Sequence, residues 1–395
     1  MLMTVSHSGR RDLVIINRSF WPSYPVIGEA LLRLAEGLAD TCRVSVILQD
    51  RDDIRRQLAE KHRGKGVEFF PGKGWSDSSS RVYIRALDAV FFMCWVVFCL
   101  LRARPKTVYV STDPPVLVPF VVMIYARIFR ARYVYHLQDI HPEAANIAVR
   151  VHPQIYRLLF WMDRITMRRA SVLITITDEM AEEIRHRSGT RAPIHILCNP
   201  AVSFDGVVPV EEKIRGFSFC GNAGRLQRIP LLLDAIRKYL DAGGAMQFAF
   251  AGGGYFSPRL SDLANQYEQV TYLGVVSAKE AAQLNCDYEW ALLPIVDEVT
   301  RFAFPSKSSS YVFSGAAVLA VCGEQTSVAQ WVEKYGLGKV VKPQVDALAE
   351  AFWQIEKEDA PASSYTEDRS TLMDELRFER FVQRLKDIVP LQAGS

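Results

Sequence analysis

Short apolar runs alternate with helical patterns almost from end to end of this chain. In the first half the runs are LVIIN from Leu13, RVSVILQ from Arg43, TVYVST from Thr107, RYVYHL from Arg132 and VLITIT from Val172. Such runs, largely β-branched and bounded by turn signals, predict strands covered on both faces. Between them, stretches such as GEALLRLAEGLADT and HPQIYRLLFWMDRITMRRA carry the period of helices. Strands alternating with helices predict a parallel, doubly wound α/β sheet.

The alternation stops at NPAVSFDGVVPVEEKIRG, from Asn199 to Gly216, which is rich in Pro, Gly and charge and has neither period. This reads as an interdomain linker. Afterwards the pattern restarts with FSFCG, LLLDAIRKYL, QFAFAGGG, VTYLGVV, WALLPI and AVLAV. The expectation is a Rossmann-like domain over 1–200, a linker over 201–216 and a second Rossmann-like domain over 217–395. The second ends in a helical tail whose clearest amphipathic piece is TLMDELRFERFVQRLKDIV. Ligands of such sheets bind beyond the carboxyl ends of the strands, which places a cleft between the two domains.

Composition narrows the class. At 395 residues the chain is long enough for two cores, and 49 % apolar with 23 % charged residues is a globular balance. A formal charge of +3 gives no electrostatic footprint for nucleic acid, so none is expected as a partner. The seven cysteines are scattered without a CxxC pair, which argues against a zinc or disulfide framework and fits a reducing compartment. MLMTVSHSGRRDLVII has no long apolar stretch ahead of a cleavage site, and the protein is read as cytoplasmic.

Three turns carry candidate chemistry. In FSFCGNAGRLQRIPLLLDAI, Gly221, Asn222 and Gly224 let backbone amides approach an anion at a helix start, with Arg225 and Arg228 beside them. The spacing is not GxGxxG, so no dinucleotide fingerprint is matched. Gly252, Gly253 and Gly254 follow at the next strand end, and Val275 and Val276 at the one after, where exposed backbone suits a nucleobase edge. In TRFAFPSKSSSYVFSG, Ser306 is the expected N-cap of a helix. Lys307, Ser310 and Ser314 then share a face, which reads as a diphosphate grip with ribose contacts beyond it.

These motifs in this order, with PSK ahead of YVFSGAAVLAV, resemble the retaining GT-B glycosyltransferases of family 4, in particular the branch that builds bacterial surface polysaccharides. The likeness extends to FWPSYPVIGEALLRLAEGL and to HLQDIHPEAA, which is similar to that branch's Asp-x-x-Pro-Glu motif. The resemblance implies a GT-B fold, two Rossmann-like domains facing a central cleft. It implies a nucleotide-sugar donor in the second domain, Arg225 and Lys307 on its pyrophosphate, and a glycan or lipid-linked acceptor in the first. Gly28 falls in the loop near the reacting groups, and Asp139 and Glu143 on the acidic positions of the motif. The family's two glutamates, seven residues apart, fall here on Ser310 and near Phe302, neither acidic. Asp297 and Glu298 are the nearest carboxylates upstream.

The chemistry asks for little more. Cleavage of a sugar–diphosphate bond builds charge on the leaving phosphates, which two fixed cations stabilise without a metal or other cofactor. Asp139 stands as a catalytic candidate with Arg225 and Lys307, and His136 and His141 bracket it as candidates to position the donor sugar. Asp50-Arg51-Asp52 is an Asp-x-Asp that in another fold would bind a divalent ion; here a charged loop after a strand is the simpler reading. Two alternatives stay open. One is a nucleotide-sugar epimerase on the same fold; the other is a paralogue that binds nucleotide-sugar, or a membrane, without turnover.

One segment points elsewhere. ALDAVFFMCWVVFCLLRARPK holds an uninterrupted apolar run from Ala89 to Leu101, flanked by Arg81, Arg85, Arg102, Arg104 and Lys106. The run is short of the roughly 20 residues that span a bilayer. It suits either a buried helix or peripheral contact with the inner face of the cytoplasmic membrane.

Overall fold

A computed structural model of the chain describes residues 10–24, 26–51, 53–76, 82–201, 204, 206–208, 210–358 and 367–391. Two compact units emerge, one of Met1–Asn146, Val151–Leu197 and Phe381–Ser395, the other of Ile147–Arg150 and Cys198–Arg380.

The first unit is built on seven parallel strands: β1 (Leu13–Ile16), β2 (Val44–Asp50), β3 (Glu68–Lys73), β4 (Thr107–Ser111), β5 (Arg132–His136), β6 (Val172–Thr175) and β7 (Ile194–Ile196). Their order across the sheet is β3-β2-β1-β4-β5-β6-β7. All four residues of β1 are fully buried, as a continuous apolar run between two helical layers requires. The five strands expected from apolar runs are present. The edge strand β3 contains Pro71 and Gly72 and β7 has three half-buried residues, so neither carries a long apolar run.

The second unit has six parallel strands: β8 (Ile214–Cys220), β9 (Gln247–Ala251), β10 (Val270–Tyr272), β11 (Tyr288–Pro294), β12 (Ala317–Val321) and β13 (Gly338–Val341), in the order β10-β9-β8-β11-β12-β13. Its core is strongly aromatic: Phe217, Phe248, Tyr239 and Phe352 touch ring to ring at 4.9–5.9 Å.

Two boundaries differ from the sequence reading. The stretch taken as a linker ends inside β8, whose first residues Ile214 and Arg215 are exposed and so hid the strand's apolar character. The tail is two helices, Glu367–Glu375 and Phe378–Ile388, and from Phe381 onward it belongs to the first unit, not the second. There Phe381 and Leu385 find burial, Arg384 donates to the Ile196 carbonyl at 2.8 Å and Thr107 to the Pro390 carbonyl at 3.3 Å.

Candidate active site

In the second unit the strand order reverses between β8 and β11, and their carboxyl ends form the switch point where ligands of such sheets sit. The turn after β8 is not the amide cradle the sequence suggested. The Gly221 amide donates to the Ala251 carbonyl at 2.9 Å, Ala223 to Gly253 at 2.7 Å, and Gly224 to the Gln227 side chain at 3.1 Å. The three glycines after β9 serve this turn. Gly252 holds φ +120°, its amide bonds the Gly274 carbonyl at 2.6 Å, and a Cβ there would lie 2.1 Å from the Gly221 carbonyl oxygen. Gly254 is pressed likewise against Asn222 and Ala223. Replacing Gly252 by alanine is therefore expected to lower the urea midpoint of the second unit, with about 1–3 kcal/mol from backbone strain alone. An unchanged midpoint would show that the two turns do not pack this way.

Side chains face the switch point instead. The helix after β11 spans Ser308–Ser314, one residue later than expected; Ser306 is exposed and Lys307 occupies the cap position without a side-chain capping bond. Although Lys307 as a residue is partly exposed, its amine is enclosed. The Nζ lies 3.4 Å above the centre of the Phe219 ring and 3.8 Å from where a Gly221 Cβ would stand, with no hydrogen-bond acceptor among the described residues. Burial pushes this amine down to about 7, against a small upward pull from Cys220. Arg225 is exposed and lies over the Tyr255 ring at 4.6 Å.

Arg228 has another task. Its guanidinium donates to the Ile295 carbonyl at 2.7 Å and to Asp297 at 2.9 Å, and Asp297 also accepts the Gly323 amide at 3.0 Å. It fastens the segment after β11 and is not presented as a free cation, and Asp297 is committed to the same knot. The serine face also divides. Ser309 donates to the Asn199 carbonyl at 2.6 Å and Ser314 to Tyr311 at 2.9 Å, whereas Ser310, 8 % exposed, lies one turn beyond Lys307. Val275 is 83 % exposed on the turn after β10, while Val276 packs beside Cys220 and Ala251.

In the first unit the reversal falls between β1 and β4. Asn17 and Ser111 bond side chain to side chain there, and Asp113 takes Arg18 at 3.2 Å and the Ser19 amide at 2.8 Å. A cavity of about 390 Å³ opens beside them, lined by Arg18, Trp21, Tyr24, Gln49, Asp50 and Arg51 among others. Trp21 and Tyr24 stand in FWPSYPVIGEALLRLAEGL and Asp50-Arg51 in the Asp-x-Asp, but Asn17, Arg18, Ser111 and Asp113 match no motif and drew no site role from the sequence. Gly28 lies inside the helix Ile27–Ala39, buried, where a Cβ would meet the Trp21 amide nitrogen at 2.5 Å. It lets that helix pack on the preceding loop.

The Asp-x-x-Pro-Glu segment is divided in role. His136 closes β5 fully buried, with Nδ1 bonded to the Tyr109 hydroxyl and Nε2 without a partner among the described residues. Burial pushes it down to about 3, so it stays neutral near pH 7, and pushes the nearby Asp139 carboxyl up to about 6. His141 is lowered to about 4 by burial and by Arg187, and its carbonyl accepts Arg187 at 2.8 Å. Glu143 begins a separate short helix, Glu143–Ala148, and is tied to Arg187 at 2.7 Å. Arg187 also meets Asp163 at 3.2 Å, and Asp163 accepts the Tyr135 hydroxyl at 2.7 Å. Glu143 is thus part of a buried ionic knot, and an acceptor role is not what its partners indicate. Of the Asp-x-Asp, Asp50 accepts the Ile54 amide at 3.0 Å and Asp52 lies outside the described residues, as does Arg81. Among the described residues no three His, Cys, Asp or Glu side chains are grouped to share a metal ion.

Comparison with known proteins bears on this arrangement. Residues 27–200 match the glycosyl transferase 4-like domain. Over 282 residues, 66 % of this chain and 69 % of the relative, the sequence is 25 % identical to the probable glycosyltransferase WbjE of Pseudomonas aeruginosa. The solved structure of HepE from Anabaena in complex with UDP superposes with a TM-score of 0.64 at 16 % identity, covering 95 % of this chain and 98 % of that one. WaaG, described as a glycosyltransferase involved in lipopolysaccharide biosynthesis, gives 0.64 at 12 % identity over 95 % and 99 %. With its two parallel Rossmann-like sheets, the fold is GT-B.

Proposed function

We propose that this chain is a glycosyltransferase of the GT-B type, as the domain match over residues 27–200 and the likeness to WbjE support, and that it moves a sugar, with retention and without a metal, from a nucleoside diphosphate to a lipid-linked or glycan acceptor. We place the reaction in surface-glycan synthesis at the inner face of the cytoplasmic membrane. The observation that carries the reading is the Lys307 amine, enclosed at the β8/β11 switch point with no acceptor among the described residues. A buried ammonium without a counter-ion is costly, and a diphosphate supplies what it lacks.

As the bond from sugar to phosphate lengthens, charge builds on the leaving oxygens, and Lys307 with Arg225 compensates it without reorganisation. The leaving phosphate takes the acceptor hydroxyl's proton as the new glycosidic bond forms. His136, neutral and fully buried in the first unit, keeps Nε2 without a partner among the described residues. Asp139, raised to about 6, is mostly ionised near pH 7 and suits a developing positive charge on the sugar ring. The UDP bound by HepE supports a nucleotide-linked donor. Serine at 310 favours one second reading, a binding paralogue without turnover, since a hydroxyl replaces a carboxylate on ribose only in part.

The test is thermal shift with UDP-, GDP-, dTDP- and CDP-linked sugars, because a ligand that binds the folded state raises its midpoint by mass action. One class should raise it, and transfer to acceptor should follow with that donor. No shift with any class would overturn the donor reading; a shift without transfer would favour the paralogue.

A further inference from the structure

We propose that one outer helical face of the first unit docks on an anionic lipid bilayer, lying along its surface without crossing it. The face is made by three neighbouring helices, Val82–Ala103, Leu117–Phe129 and Pro153–Arg169, the middle one packed against both others.

The first helix is apolar on both sides. Its inner stripe of Phe92, Val96 and Leu100 is buried, at 0 %, 0 % and 1 % exposed. Its outer stripe, at successive i+3 and i+4 steps, carries Leu87, Phe98 and Leu101 at 63 %, 56 % and 50 % exposed. A surface helix ordinarily keeps polar residues there. Beside it the second helix exposes Ile124 and Ile128, at 40 % and 67 %, and the third Leu158 and Trp161, at 56 % and 53 %. Phe120 and Trp161 join these two helices, ring centres 5.9 Å apart. Contiguous apolar surface across three helices is more than a monomer normally leaves to water.

By length and composition the first helix passes as a membrane span. Its inner side rules that out. Asp88 is 0 % exposed and accepts Gln49 at 2.7 Å and Ser76 at 2.6 Å, and the Trp95 indole donates to the Phe70 carbonyl at 3.2 Å. The helix is bolted lengthwise to the flank of β2 and β3, so only its outer stripe remains for lipid.

Charge selects the occupant. Every exposed charged side chain on the three helices is an arginine, Arg102, Arg127, Arg157 and Arg164 among them. The two acids, Asp88 and Asp163, are both 0 % exposed and internally bonded. A second copy meeting this face with its own would set arginine against arginine. Anionic headgroups would receive the guanidiniums while the apolar stripe enters the acyl boundary, an arrangement that tryptophan and arginine suit.

The experiment is co-sedimentation of the full chain with phosphatidylcholine vesicles, with and without phosphatidylglycerol. It needs no donor sugar, so this inference and the proposed function can fail separately. The expected result is binding to the anionic vesicles only, weakened about fivefold per arginine in Arg157→Gln and Arg164→Gln. Leu87→Asp with Phe98→Asp should abolish it while the thermal midpoint in solution holds, since both side chains are exposed. Absence of binding, or binding equal in wild type and all variants, would overturn the proposal. So would a concentration-dependent rise in mass without vesicles that Phe98→Asp removes, which would assign the face to a second copy.

Discussion

Replacement of Lys307 by alanine is expected to lower turnover by about 10²–10³-fold, the usual loss when one preorganised electrostatic donor is removed, and to abolish the donor-induced thermal shift. The expectation rests on enclosure. The amine lies against the Phe219 ring beside Gly221, screened from water and with no internal acceptor among the described residues. Titration gives a second, independent readout. With the amine lowered to about 7, much of it is neutral in the free protein above that pH. A bound diphosphate favours the ammonium, so donor binding above about pH 7 must take up a proton. Donor affinity should fall as pH rises, by up to about tenfold per unit until the bound-state value is passed. Calorimetry in buffers of different ionisation heat measures that uptake directly. Wild type should show it above neutrality and lose it at about pH 5, where the free amine is already protonated. Turnover retained in the variant would remove Lys307 from the site.

The strands were legible wherever burial on both faces left an uninterrupted apolar run, as in LVII and AVLAV. They were hidden at the sheet edges, where β3 and β7 are only partly covered and composition no longer reports the fold. Lys307 could be singled out in the sequence because Pro-Ser-Lys near a helix start is a local pattern; its role on a donor phosphate belongs to the proposal. The partners that redefine its neighbours are not local. Arg228 is claimed by Asp297, sixty-nine residues on, and Glu143 by Arg187, forty-four residues on. Each looked like site chemistry because nothing in its own segment announced the partner. The same limit applies to Ala89–Leu101: the run shows that the helix is apolar, and only its packing shows that one side is covered and the other bare.

The largest expected effect on stability lies at that long-range knot. Arg187, 6 % exposed, compensates two carboxylates, Asp163 and Glu143, the first fully buried with the Tyr135 hydroxyl as its other donor. Arg187→Met leaves both without their cation, and breaking a buried pair from one side costs about 3–5 kcal/mol. The loss should depend on pH in a definite sense. Burial pushes Asp163 up to about 7, against the downward pull of Arg187 and Tyr135. Between the ordinary carboxylate range and that value the folded state holds a proton that the unfolded chain has lost, so Asp163 lowers stability as pH rises through this window. Without Arg187 the carboxyl rises further and the window extends upward. The variant's deficit should therefore be larger at about pH 8 than at about pH 5, where Asp163 is neutral in either protein. Urea unfolding of both proteins at the two pH values measures it. Asp163→Asn added to Arg187→Met should recover part of the loss at the higher pH, because it removes the charge that lost its partner. A deficit that is the same at both pH values, and untouched by the second substitution, would mean that Arg187 serves this unit through packing on Phe160, 4.6 Å from its guanidinium, and not through charge.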